Sequence, residues 1–116
     1  MLLMETIYDD LKDYDLVDNA EEFSTDWCNR SRSWFAVQKN KGSDFSVPVA
    51  INLLGYVKMR RSMLIIKRRQ LGSILDGEIN LLASINEHLD EYLLNSHQIA
   101  AVVETNPLQK KMLDNM

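Results

Sequence analysis

An all-α fold is what this sequence predicts, with four to five short helices followed by a long C-terminal helical extension. Three observations carry that expectation. Glycine (4) and proline (2) are too scarce to punctuate a many-stranded β fold. Apolar residues recur at steps of three and four rather than two. Leu, Met, Glu, Lys and Arg are plentiful, and these side chains lose little rotamer freedom in a helix. At 116 residues, 46% of them hydrophobic, the chain has the length of one domain and enough apolar matter for a core.

The first helix falls within residues 3–17, where Leu3, Ile7, Leu11 and Tyr14 share one face. The run Val17-Asp18-Asn19-Ala20 breaks it. Asp18 or Asn19 followed by Glu21 and Glu22 is an N-terminal signature for a second, short helix, whose apolar face is Ala20, Phe23, Trp27 and Cys28. Asn29-Arg30-Ser31 reads as a tight turn, with Ser31 capping a third helix from Arg32 to about Asn40 that Gly42 stops. Ser46 caps a fourth helix with Pro48 in its first turn, running from Val47 to about Met59 with Val49, Ala50, Leu53, Leu54 and Val57 inward. From Arg60 to about Leu94 the apolar rhythm continues without proline, and Gly72 and Gly77 mark candidate bends. A short apolar segment, His97–Val103, is stopped by Thr105-Asn106-Pro107. This divides the chain into a domain over 1–59 and a helical extension over 60–116.

The net charge of −4 conceals three blocks. Residues 1–29 carry nine acids and one base. Residues 30–69 carry ten cations (Arg30, Arg32, Lys39, Lys41, Lys58, Arg60, Arg61, Lys67, Arg68, Arg69) against Asp44 alone. Residues 70–116 carry seven acids and two bases. The basic block is either a polyanion-binding face or the internal counterpart of the acidic helices. One cysteine, Cys28, excludes an intrachain disulfide, and reads as a small buried hydrophobe because no histidine is near in sequence. His88 and His97 are not at metal-ligand spacing, the carboxylates Asp9, Asp10, Asp13 and Asp15 read as a solvated face, and no phosphate-binding glycine loop is present. No metal, cofactor or enzymatic activity is therefore expected. The N-terminal residues do not form a signal peptide and the longest central apolar stretch, Met63–Ile66, is far short of a membrane span, so the expected location is cytoplasmic.

The constellation that points to function lies in residues 20–41. An acidic-start helix (Ala20-Glu21-Glu22-Phe23-Ser24-Thr25-Asp26-Trp27) is followed by a turn with a serine (Asn29-Arg30-Ser31). A second helix (Arg32-Ser33-Trp34-Phe35-Ala36-Val37-Gln38-Lys39-Asn40) exits through Lys41-Gly42, and Phe45-Ser46-Val47-Pro48 opens a leucine-bearing helix. Over residues 20–59 this pattern resembles the phage repressor/Cro-type helix-turn-helix family. Ser24 stands where that family usually has a small residue such as Ala, Asn29 replaces the turn glycine, Cys28 looks like a one-residue insertion before the turn, and Gln38 occupies an apolar position. The resemblance implies a transcriptional regulator that binds double-stranded DNA, its second helix entering the major groove by its first turn. Arg30, Arg32, Ser33, Trp34, Val37, Lys39, Lys41, Lys58, Arg60 and Arg61 are the candidate DNA-binding residues, Arg32 for a base or phosphate and the other cations for phosphates. Trp34 is unusual in that turn, since bulky indoles seldom read base edges, and reads rather as a core or interface aromatic.

Leu71, Leu75, Leu82, Ile85, Leu89 and Tyr92 approximate a coiled-coil seam. That stripe either folds back on the domain or pairs with a second chain, and a homodimer would suit two half-sites. Two other readings stand beside the regulator. One is a protein-binding inhibitor or anti-activator that keeps a helix-turn-helix scaffold, favoured by the pI of 5.1 and by Trp34. The other is an oligomerisation module centred on residues 60–116.

Overall fold

In the computed structural model, which describes residues 1–97, every regular element is helical. In chain order they are α1 (Leu3–Asp13), α2 (Ala20–Glu22) continuing into a π-helical turn (Phe23–Trp27), α3 (Trp34–Lys41), α4 (Val47–Leu71), a 3-10 turn (Gly72–Leu75) and α5 (Asp76–His97). The all-α expectation holds. Apart from His97, the segment expected over His97–Val103 and its stop at Thr105-Asn106-Pro107 lie outside the described residues.

α1 buries Met4, Ile7 and Leu11. The inward face is thus rotated from the expected one: Leu3 is half-buried, and Tyr14 lies past the helix end, exposed. The start of α1 is held from 40 and 41 residues away. The Asp44 carboxylate accepts hydrogen bonds from the Leu3 (2.6 Å) and Met4 (3.0 Å) backbone N–H groups, capping α1 where the preceding residue, Leu2, offers no side-chain acceptor. The chain leaves α1 through Asp15, at φ +56°, and Val17 drops into the core.

The cap expected for the second helix is present. Asn19 Oδ1 accepts from Glu22 N (2.9 Å), and the Glu22 carboxylate accepts from Asp18 N (3.1 Å), a reciprocal arrangement close to a capping box. The helix then widens into a π turn, with Cys28 N donating to Phe23 O (3.0 Å). A wider turn accommodates an extra residue without losing the helix. It absorbs the apparent insertion at Cys28 and lets Phe23, Trp27 and Cys28 all face inward, each essentially inaccessible.

α4 extends well beyond the expected end near Met59, for 25 residues or about 37 Å. Its first half buries Val49, Ala50, Leu53, Leu54 and Val57, as the spacing predicts. The boundary expected after residue 59 falls inside this helix. Of the two candidate breaks, Gly72 is the one used: at φ +72° it ends α4, whereas Gly77 lies within α5. The chain then reverses. Contacts between Arg68 and Asp76, between Arg61 and the Ile79 carbonyl, and between Tyr92 and the Phe45 carbonyl are nested, so α4 and α5 run antiparallel.

The supposed dimer seam is largely spent inside the chain. Leu82, Ile85 and Leu89 are fully buried and join one core with Met4, Ile7, Leu11, Phe23, Trp27, Leu53 and Val57. Tyr92 is half-buried, donates its hydroxyl to Phe45 O (2.6 Å), and its phenol pKa is raised by burial and by the charge of Asp44. Leu75 is half-buried and Leu71 exposed. Of the two fates the stripe allowed, folding back is the one realised, because α5 supplies the apolar layer that α1 and the first half of α4 need.

Candidate nucleic-acid interface

The unit formed by α2, its π turn and α3 is organised around one buried hydroxyl. Ser24 donates to Ala20 O (2.9 Å) and accepts from Phe35 N (3.0 Å), while its carbonyl accepts from Arg30 N (2.8 Å). Three segments are tied to one residue. The residue type that departs from the alanine of the resembled pattern is therefore the one that ties the two helices and the turn together. Asn29 supplies the left-handed conformation the turn needs, at φ +55°.

Within this unit α3 begins later than expected. Its cap position is Ser33 and its first residue Trp34, so Arg32 and Ser33 lie in the turn rather than in the helix. Ser31 contributes its carbonyl, accepting from Trp34 N (3.0 Å), and not a side-chain cap. Gly42, at φ +68°, stops the helix as expected, with Ser43 N bonded back to Gln38 O (3.0 Å). Phe35 anchors α3 inward against Tyr8 (ring centroids 4.8 Å apart) and Phe23 (5.6 Å). Trp34 stacks on Phe45 at 6.1 Å with ring planes 16° apart, half-buried, which makes it a packing aromatic. The outward side of α3 is left to Ala36, Val37, Lys39, Asn40 and Lys41, all exposed.

The candidate cations separate into two groups. Arg30, Arg32, Lys39 and Lys41 are exposed on the α2–α3 unit, and Lys58 is exposed on α4. Arg32 bonds Glu21 at 2.8 Å, but both side chains are mostly exposed (77% and 59%), so the pair contributes little and is easily exchanged for another anion. Arg60 and Arg61 are different. The Arg60 guanidinium lies over the Trp27 ring (5.1 Å to its centroid) and donates to the Tyr56 hydroxyl (3.2 Å). Arg61 donates to Ile79 O (3.3 Å) on α5. These two neighbours turn to different partners, Arg60 to Trp27 and Tyr56 and Arg61 to α5, and both remain half-exposed.

Among the described residues, the ten cations of residues 30–69 form two ion pairs, Arg32–Glu21 and Arg68–Asp76. Among the described residues, most cations of the basic block make no close ion pair with the acidic blocks. Cys28 is sealed from solvent, and burial pushes its thiol up to about 12, with Arg30 a smaller opposing influence. The described residues hold no cluster of His, Cys, Asp or Glu able to bind a metal ion, and no helix among them is long and apolar enough to cross a membrane.

Two residues important here had no local signal. Ser24 was visible only as a departure from a pattern, and Asp44 only as the single acid in a basic block. Both act on partners distant in sequence, which no short-range spacing reveals. Neither a curated protein nor a solved structure matches the chain. One family pattern does, over residues 4–103 and so across every helix described above, and by that match the chain belongs to the Family of unknown function (DUF6626).

Proposed function

We propose that the chain binds double-stranded DNA as a helix-turn-helix regulator, with α3 laid along the major groove. The observation that carries this reading is an exposed short helix flanked by Arg30, Lys39, Lys41 and Lys58, which have no acidic partner among the described residues, with Arg32 held only by an exposed pair to Glu21. Arg30, Arg32, Lys39, Lys41 and Lys58 are the phosphate contacts, and Ala36, Val37 and Asn40 face the bases. The base-facing set is thus shifted toward the C-terminal part of α3, because Trp34 is occupied by Phe45 and Arg32 precedes the helix. Homodimerisation on two half-sites would need a surface other than Leu82, Ile85 and Leu89, which the chain's own core consumes.

The test is a fluorescence-anisotropy titration of duplex DNA across a salt series. Neutralising Lys39 or Lys41 to Gln should lower the slope of log affinity against log salt by about 1 per lost contact. Val37→Glu should weaken binding to every duplex, since it places an anion against the groove. Wild-type protein that binds no duplex even at low salt ends the reading. The protein-binding inhibitor is then preferred, and one observation already favours it: Glu21 and Asp26 sit exposed on the same helical unit, where they repel phosphate.

A further inference from the structure

From Lys58 to Glu78 no residue is fully buried, although the segment is helical throughout. Its apolar side chains are nevertheless large: Met59 and Met63 are each 46% exposed, Ile66 61%, Leu71 59% and Ile74 77%. Two antiparallel helices cover only one stripe on each other, and apolar residues off that stripe need a third layer. Near Trp27 the α2 unit provides one, but farther along α4 no other described element does.

Tyr56, Met59, Arg60, Met63, Leu64 and Lys67 fall on one helical face, in the pattern i, i+3, i+4, i+7, i+8, i+11, and line a groove of about 420 Å³. At 1.5 Å per residue it runs about 17 Å along α4. From Phe45 to Leu75 there is no acidic residue and there are six cations, of which Arg68 alone is ion-paired among the described residues.

We infer that this groove docks an acidic amphipathic helix of a partner protein. Such a helix presents apolar anchors at steps matching Met59 and Met63, and methionine adapts its shape to varied anchors. Acidic residues flanking those anchors would meet Lys67 and the uncompensated charge around it. A second copy docked groove to groove fits worse, since it would bring the same six cations against these. Duplex DNA would use the cations and leave the methionines idle. This site is separate from α3 and does not depend on the DNA-binding reading.

The probe is a capped, fluorescein-labelled synthetic helix of about 18 residues, long enough to span the groove. It carries Leu at every third or fourth position and Glu on both flanks. A counterpart with Lys in place of Glu serves as the control. Full-length protein should bind the Glu peptide saturably, at least about tenfold tighter than the Lys peptide, with the difference shrinking as salt screens it. The double variant Met59→Ser, Met63→Ser should weaken that binding about tenfold or more. It should leave the urea midpoint nearly unchanged, because both side chains are half in solvent. Val37→Glu should leave peptide affinity intact. Equal binding of the two peptides, or unaltered binding by the double variant, overturns the inference. So does a wild-type protein that self-associates in sedimentation while the double variant is monomeric, or a double variant that loses affinity for duplex DNA or phosphatidylserine vesicles but not for the peptide.

Discussion

The helical head around Trp27 and the distal half of the α4–α5 hairpin are built from similar apolar residues under different constraints. In the head, Met4, Ile7, Leu11, Phe23, Trp27, Phe35, Leu53, Val57 and Leu89 are buried from several directions. Its helix ends are tied by side chains from afar, Asp44 to α1 and Ser24 to α3. In the distal hairpin, Met63, Ile66, Leu71 and Ile74 remain in solvent beside a row of cations. The difference teaches that apolar periodicity states only that a helix has a face. How many layers meet that face is a property of the assembled fold.

Truncation in each region gives the sharpest contrast. Trp27→Ala removes an indole packed edge-on to Tyr56 (4.8 Å) in the head, and should cost about 3–5 kcal/mol in urea unfolding. A loss under about 1 kcal/mol would mean that the head is no better packed than the hairpin. Cys28 probes the same core by chemistry. Its thiol should react with a thiol reagent on the order of 10³ times more slowly in the folded chain than in urea, because attack requires opening. Since burial raises its pKa from 9.0 to about 12, the folded state holds the proton more tightly. That contribution to stability is complete below about pH 9 and is lost as pH rises toward 12. Stability independent of pH over that window in wild type, or an equal decline in Cys28→Ala, would count against a sealed thiol.

Ser24→Ala should cost about 1–3 kcal/mol, because Phe35 N is left as a buried donor with no acceptor. Hydrogen exchange at Phe35 should quicken with it, and slow exchange in the variant would show that another acceptor serves. Arg60 marks the border between the two regions. Arg60→Gln should cost about 0.5–1 kcal/mol from the lost contact with the Trp27 and Tyr56 rings. The smallest effect belongs to the hairpin tip, where Ile74→Ser should change stability by less than about 0.5 kcal/mol. A large loss there would indicate that the tip is covered in solution, and would remove the contrast.

Much of the head was legible in the chain. Asn19 with Glu22, the left-handed Asn29 and the stop at Gly42 all depend on neighbours within a few residues, so composition and spacing reveal them; Ser46 holds the expected position before α4, but its hydroxyl makes no cap hydrogen bond. The inward set Val49, Ala50, Leu53, Leu54 and Val57 is likewise a single helical face. The candidate interface was legible in its charges and not in its geometry. The start of α3 shifted from Arg32 to Trp34 because Ser24, ten residues earlier, satisfies Phe35 N and so settles where the helix begins.

By itself, then, the sequence determined that the chain is helical, that Asn19 caps the second helix and Gly42 stops the third, and that a basic block stands between acidic ones. Only the tertiary structure decided that Leu82, Ile85 and Leu89 turn inward rather than toward another chain, that Asp44 caps α1, and that Arg60 and Arg61 find partners on different elements. The physical reason is one of range. Helix formation and capping are contests among groups a turn or so apart, whereas burial and long-range capping depend on which helices the reversal at Gly72 brings side by side.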